Sequence, residues 1–257
     1  MKKIKKIVNK KHKSKIISLT AYSKNIAEII DKHVDIVLVG DSVASVLYNY
    51  DTTRKMKLDT MIEHAKSVRM GISNSLMVFD MPFNTYRNKK EALLNVRKVI
   101  KETKSDAVKL EGGSKIKDIV KHLIKNNIAV LGHLGIMPQS VRGKFKSKGK
   151  TSFERKKLLE DAKLLEKLGA FAIVLECIEK SLAKKITNEI KIPTIGIGSS
   201  SYCDGQILVT DDIIGLTNSK IRFVKKYVDL KKIVGKATKR FKSEVINSKY
   251  PTNKYSY

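Results

Sequence analysis

The sequence predicts an α/β protein built as a single (β/α)8 barrel. Three observations carry this expectation: eight short aliphatic runs, a stretch of helical periodicity after each, and polar residues gathered directly behind the runs. The length of 257 residues fits one such barrel, since this architecture commonly occupies about 250 residues.

The runs fall at 15–19, 36–39, 76–79, 107–110, 128–131, 172–175, 194–197 and 207–209. They are apolar throughout rather than alternating, as required of parallel strands covered on both faces. Helical patterns occupy approximately residues 24–33, 58–71, 89–103, 114–126 and 179–190. A further helix is marked at its start by a capping-box pattern, Thr151 with Glu154. Leu158, Leu159, Ala162, Leu165 and Leu168 form its apolar face, and Gly169 stops it. The last helical segment, near 230–245, leads into a polar tail from about 247 that is expected to be mobile. No repeat or linker divides the chain, so one domain spanning 1–257 is predicted, with an open doubly wound sheet as the alternative.

Apolar residues make up 42% of the chain and charged residues 30%, the composition of a folded globular protein. Lys and Arg total 53 against 25 Asp and Glu, a net charge of +28. Such a charge alone would favour nucleic acid or an anionic surface. The lysines are spread over every helical face without interleaved aromatics, which argues against nucleic acid as the partner. Cys177 and Cys203 stand 26 positions apart with no CxxC or zinc spacing, which fits a reducing compartment. No stretch reaches the roughly 20 apolar residues of a membrane span, so a cytoplasmic protein is expected.

In a parallel barrel the residues behind each strand converge on the carboxyl-terminal face, where catalysis takes place. Here they are Thr20, Asp41 with Ser42, Asp80, Lys109 with Glu111, His133, Glu176, and Gly198 with Ser199. Asp41, Asp80 and Glu111 form an all-oxygen set with no thiolate or imidazole among them, the environment Mg2+ prefers. With Mg2+ a 2-oxo acid could bind through carbonyl and carboxylate oxygens and lose a proton beside the carbonyl. Lys109, two positions before Glu111, points the same way. It would neutralise the substrate carboxylate, or else serve as a structural partner of Glu111 or Asp80. Glu176 ends an apolar run, so desolvation would raise its pKa and suit a general base; a salt-bridged structural carboxylate is the alternative. His133 is a candidate substrate contact or a packing residue. The glycine pairs at 112–113 and 196–198 lack P-loop or GxGxxG form and read as tight turns.

The motifs Leu19-Thr20-Ala21-Tyr22, Val39-Gly40-Asp41-Ser42, Asp80-Met81-Pro82-Phe83, Lys109-Leu110-Glu111-Gly112-Gly113, Gly132-His133-Leu134-Gly135 with Pro138-Gln139-Ser140, Leu175-Glu176-Cys177, and Ile195-Gly196-Ile197-Gly198 before Asp204-Gly205-Gln206 follow in order. Together they resemble the ketopantoate hydroxymethyltransferase family from about Thr20 to Gly215. The resemblance implies that Asp41, Asp80 and Glu111 bind Mg2+, that Asp41, Ser42, Asp80 and Lys109 surround the 2-oxo acid, and that Glu176 accepts the proton. It further implies transfer of a hydroxymethyl group from 5,10-methylenetetrahydrofolate to 3-methyl-2-oxobutanoate, giving 2-dehydropantoate for pantothenate and coenzyme A. A homo-oligomer, commonly a decamer in the family, is implied as well.

Ser23, the segment 48–52 (Tyr-Asn-Tyr-Asp-Thr) and Ser199-Ser200 depart from the family pattern. None is a proposed metal ligand or base, but the missing glycines near Asn49 and Ser200 bear on a loop next to the folate. Two other readings are a metal-dependent lyase related to the phosphoenolpyruvate mutase group, and a basic binding protein on an enzyme scaffold.

Overall fold

Eight parallel strands close on themselves in chain order in the computed structural model. They are β1 Ile16–Thr20, β2 Ile36–Val39, β3 Leu76–Asp80, β4 Ala107–Glu111, β5 Val130–Gly135, β6 Ala172–Glu176, β7 Thr194–Ile197 and β8 Gly205–Leu208. The structure describes residues 2–139 and 147–257. By its contacts the chain divides into two units, Met1–Val209 and Thr210–Tyr257, and the barrel lies wholly in the first.

Helices of the first unit are α1 Lys2–Val8, α2 Lys24–Ile30, α3 Val43–Val46, α4 Leu58–Arg69, α5 Lys89–Thr103, α6 Lys117–Lys125, α7 Ser152–Leu168 and α8 Lys180–Glu189. The start of α7 is built largely as the sequence predicts. The Thr151 side chain accepts from the Glu154 amide, while the Glu154 carboxylate accepts from the Gly149 and Lys150 amides, two residues and one residue ahead of the cap. At its far end Gly169 takes φ 99°, the left-handed conformation that closes a helix. The second unit holds α9 Thr210–Ile213 and α10 Leu230–Ile246, the latter capped by Asp229. Tyr227 and Leu230 donate backbone bonds to the carbonyls of Ile213 and Ile214, tying the two ends of this unit's loop together. Beyond α10 the tail carries a short 3-10 turn, Asn253–Tyr255, and Tyr250 stacks near Phe241 and Tyr255.

Two buried clusters show how the strands divide their side chains. One draws on all eight strands, for example Ile36 and Leu38 of β2, Leu76 and Val78 of β3, and Ala172 and Val174 of β6; it is the barrel interior. The other takes the alternate residues, such as Val37, Val39, Met77 and Phe79, and packs them against the helices. Side chains along a strand point to opposite faces with period two, so membership alternates residue by residue.

The structure departs from the sequence reading in three places. Residues 2–8, read as a basic start, form α1, and its Ile7 is buried at 2% exposure inside the interior cluster, with Ile4 and Val8 beside it. Lys10 pairs with Asp35 at 2.6 Å and Lys11 with Asp204 at 2.8 Å, pinning the following turn to the strand ends. Second, no helix separates β7 from β8. Ile195 pairs with Gly205, so the chain steps back only about two strand residues and seven linking residues suffice. Third, β3, β4, β5 and β6 run on through Asp80, Glu111, His133 and Glu176, because ladder bonding is indifferent to a charged side chain.

Asp31, at the end of α2, accepts backbone bonds from Ser73, Asn74 and Ser75 at 2.8–3.2 Å just before β3. Burial pushes its carboxyl up, but these amides outweigh burial and hold it at about 2, below its ordinary 3.8. A depressed folded-state value stabilises above pH 4 and is lost as pH falls through 2. Asp31→Asn is therefore expected to cost about 1–3 kcal/mol at pH 7, with the gap from wild type closing toward pH 2 in urea titrations. A gap that stays constant over that range would contradict this account.

Candidate active site

Period-two alternation decides what lines the mouth of the barrel. Continuing the interior series past its apolar members gives Asp80 after Leu76 and Val78, Lys109 and Glu111 after Ala107, His133 after Leu131, and Glu176 after Ala172 and Val174. Strand pairing then sets Asp80 beside Lys109 and Glu111 beside His133. Asp80, Lys109, Glu111 and His133 are all 5% exposed or less.

Lys109 Nζ donates to both oxygens of Asp80 at 2.7 Å. Burial pushes Asp80 up to about 7, with Asp41 and Glu111 adding to the rise and Lys109 opposing it. Burial alone would lower Lys109, but the three carboxylates outweigh it and hold the ammonium above its ordinary value. A permanent cation thus sits where the carboxylate of a small acid could be met.

On the other side of Glu111 a second charged row runs across the barrel. His133 Nδ1 lies 3.4 Å from Glu111 Oε1, and His133 Nε2 lies 3.1 Å from Glu176 Oε2. These are ionic approaches rather than hydrogen bonds: both ring nitrogens and Glu111 Oε1 lack a partner of proper geometry among the described residues. Burial and Lys109 pull the imidazole down, yet Glu111 and Glu176 raise it to about 9, so it is cationic at neutral pH. Glu176, with its side chain 17% exposed, is the most accessible of this row, against 1% for Glu111 and 2% for His133. It is set in place by Gly135, whose φ is 103° and where a Cβ would meet the Glu176 carbonyl oxygen at 2.1 Å. The neighbouring Cys177 thiol is pushed up to about 11 by burial and by Glu176, which removes it as a nucleophile.

Asp41 and Ser42 follow β2 at the start of α3. The Asp41 amide donates to Asp80 Oδ2 at 3.2 Å, and Ser42 Oγ lies 2.7 Å from the Tyr22 hydroxyl. Three residues that carried no role in the sequence reading join the site: Gln139, Tyr86 and Tyr22. Gln139, 1% exposed, donates from Nε2 to Asp41 Oδ2 and to the Met81 carbonyl, both at 3.0 Å. Its backbone amide donates to Glu111 Oε2 at 3.1 Å, and Tyr86 donates to its Oε1 at 2.8 Å. Gln139 and Tyr22 stood inside the quoted motifs, but nothing in their spacing marked them as polar hubs. Ser140, from the same motif as Gln139, lies outside the described residues.

A cavity of about 320 Å3 opens beside this cluster, walled by Phe83, Tyr86, Glu111, Gly113, Gln139 and Asp161, a volume suited to a small molecule. As for a cation, no group of three His, Cys, Asp or Glu among the described residues converges on one point as arranged. The chemistry nonetheless fits Mg2+: Asp41, Asp80 and Glu111 offer only oxygen, and Glu111 Oε1 is buried without a hydrogen-bond partner among the described residues. The family departures are locally accommodated. Asn49 takes φ 52°, a left-handed conformation that Asn tolerates, and Ser199 Oγ donates to the Ile178 carbonyl at 3.0 Å.

Removing one partner of a buried pair strands the other. Lys109→Met is expected to destabilise the fold by about 3–5 kcal/mol in urea titrations at pH 7, and Lys109→Met with Asp80→Asn by clearly less. Equal losses for the single and double variants would show that the pair is not coupled.

A family model described as ketopantoate hydroxymethyltransferase matches residues 1–253. A 3-methyl-2-oxobutanoate hydroxymethyltransferase of Pelagibacter ubique is 62% identical over 256 residues, covering 100% of this chain and 99% of its own. Proteins of the same name from Syntrophomonas wolfei and Helicobacter pylori are 43% and 44% identical, covering 96% of this chain and 92% and 93% of their own. Among solved structures, a phosphonopyruvate hydrolase superposes with TM-score 0.64 at 10% identity, covering 99% of this chain and 93% of its own. A 2,3-dimethylmalate lyase superposes with TM-score 0.62 at 11% identity, covering 99% and 88%. At such identities the structural likeness concerns the barrel alone.

Proposed function

Since this chain belongs to the ketopantoate hydroxymethyltransferase family and is a hydroxymethyltransferase of that kind, we propose that it moves a one-carbon unit from 5,10-methylenetetrahydrofolate to 3-methyl-2-oxobutanoate. Water supplies the new hydroxyl, and 2-dehydropantoate and tetrahydrofolate leave. The product would feed pantothenate and coenzyme A synthesis. The observation that carries this reading is the pairing of a buried cation, Lys109, with a second charged row ending in Glu176 at one barrel mouth.

In this proposal Lys109 meets the substrate carboxylate, with Asp41, Ser42 and Asp80 around the rest of the 2-oxo acid. Asp41, Asp80 and Glu111 would hold Mg2+, which when bound supplies Lewis-acid polarisation of the 2-oxo group. Glu176 takes the proton from C3, leaving that carbon as the nucleophile toward the folate methylene. His133, with Nδ1 3.4 Å from Glu111 Oε1 and Nε2 3.1 Å from Glu176 Oε2, orients the two glutamates at the barrel mouth and is a candidate substrate contact. Burial of the surrounding strands excludes bulk water, which strengthens each of these charge interactions.

We also take 1–257 as one catalytic domain, a reading supported by the family match running across both units. A cytoplasmic homo-oligomer is proposed as well. Two free cysteines support the compartment, and no helix among the described residues is long and apolar enough to cross a membrane.

Glu176→Gln is expected to slow deuterium exchange at substrate C3 by about 10²–10⁴-fold, followed by proton NMR, while leaving binding of the 2-oxo acid nearly intact. Exchange at the wild-type rate would remove Glu176 from the role of base.

A further inference from the structure

Two carboxylates of the site, Asp41 behind β2 and Glu111 at the end of β4, each have one oxygen engaged by the same residue. Gln139 Nε2 takes Asp41 Oδ2 and the Gln139 backbone amide takes Glu111 Oε2. The remaining Glu111 oxygen, Oε1, is buried with no hydrogen-bond partner among the described residues, and His133 Nδ1 approaches it at 3.4 Å without hydrogen-bond geometry. The amide orientation is self-consistent: Nε2 faces two acceptors, Asp41 and the Met81 carbonyl, and Oε1 faces the Tyr86 hydroxyl. At 1% exposure Gln139 has no water to replace these bonds if they are lost.

We propose that Gln139, held by Tyr86, is a positioning residue that locks Asp41 and Glu111 so that one oxygen of each is kept for a divalent cation. The inference rests on the cation reading given above and adds a residue to it. Partners that orient metal-binding carboxylates from behind fix ligand direction without touching the ion, and their loss weakens binding by about 10–100-fold in known sites. Gln139 fits that description. It spans the ends of β2, β3 and β4 through Asp41, Met81 and Glu111, and so couples three loops that would otherwise set their ligands independently. Asp41 and the Met81 carbonyl can only accept and so hold Nε2 on their side, while the Tyr86 hydroxyl, which accepts from the Glu111 amide at 3.4 Å, donates to Oε1 on the other.

The test uses Mn2+ as the probe, bound to full-length enzyme without substrates and followed by electron paramagnetic resonance. Gln139→Met keeps length and the backbone amide but removes the side-chain bonds. It is expected to weaken Mn2+ binding about tenfold or more and to raise KM for the 2-oxo acid more than it lowers kcat. Tyr86→Phe, a milder change, is expected to weaken Mn2+ binding in the same direction, and the double variant to be no worse than Gln139→Met alone. Thermal melts identify a variant that has lost its fold, in which case Tyr86→Phe decides. Mn2+ binding within twofold of wild type in folded Gln139→Met, or in Tyr86→Phe where it decides, overturns the positioning role while leaving the cation reading intact. Wild-type enzyme that binds no Mn2+ overturns both.

Discussion

The alternation of side chains along a parallel strand is the constraint on which the site depends. In each of β3, β4, β5 and β6 the interior face begins with Leu or Ala and reaches, two or four residues on, Asp80, Lys109 and Glu111, His133, or Glu176. The same alternation that fills the barrel with hydrocarbon therefore delivers its ionisable groups to one level at the carboxyl-terminal mouth. A slip of one residue in any of these strands would turn a charge outward onto the helix layer and an aliphatic residue into the site. Burial makes such placement costly, and the pairing of opposite charges, Lys109 with Asp80 and His133 between Glu111 and Glu176, offsets that cost.

Most of the fold was legible in the sequence because buried parallel strands are written as unbroken apolar runs. Each of the eight runs falls on a strand, with the fifth and eighth strands displaced by about two residues from their runs, and the capping residue Thr151 and terminator Gly169 stand where the pattern put them. The strand ends were less legible, since hydrophobicity falls at Asp80, Glu111 and Glu176 although backbone pairing does not. Helix α1 hid behind its lysines; Ile4, Ile7 and Val8 at helical spacing were the signal for it. The direct step from β7 to β8 was not legible at all, because it follows from register rather than from composition.

The charged residues of the site were legible by type and position, whereas its hydrogen-bond architecture was not. A glutamine, a tyrosine hydroxyl or a backbone amide carries no hydrophobic period, and its partner is chosen by three-dimensional approach. Gln139 and Tyr86 accordingly emerge only when the ends of β2, β3 and β4 are brought together. Surface pairs such as Lys66 with Glu63 and Glu102, and Lys163 with Glu189, engage some of the lysines but leave the net charge of +28 unchanged. Pairs of that kind add little stability.

The central claim is that this barrel mouth removes a proton beside a 2-oxo group and joins the resulting carbon to a one-carbon donor. The most direct measurement incubates wild-type protein with 3-methyl-2-oxobutanoate in deuterated buffer, with and without Mg2+ and methylenetetrahydrofolate, and follows C3 exchange and product by NMR and mass spectrometry. The account predicts Mg2+-dependent exchange in the absence of folate and 2-dehydropantoate when folate is added. Neither exchange nor product under any of these conditions would contradict it.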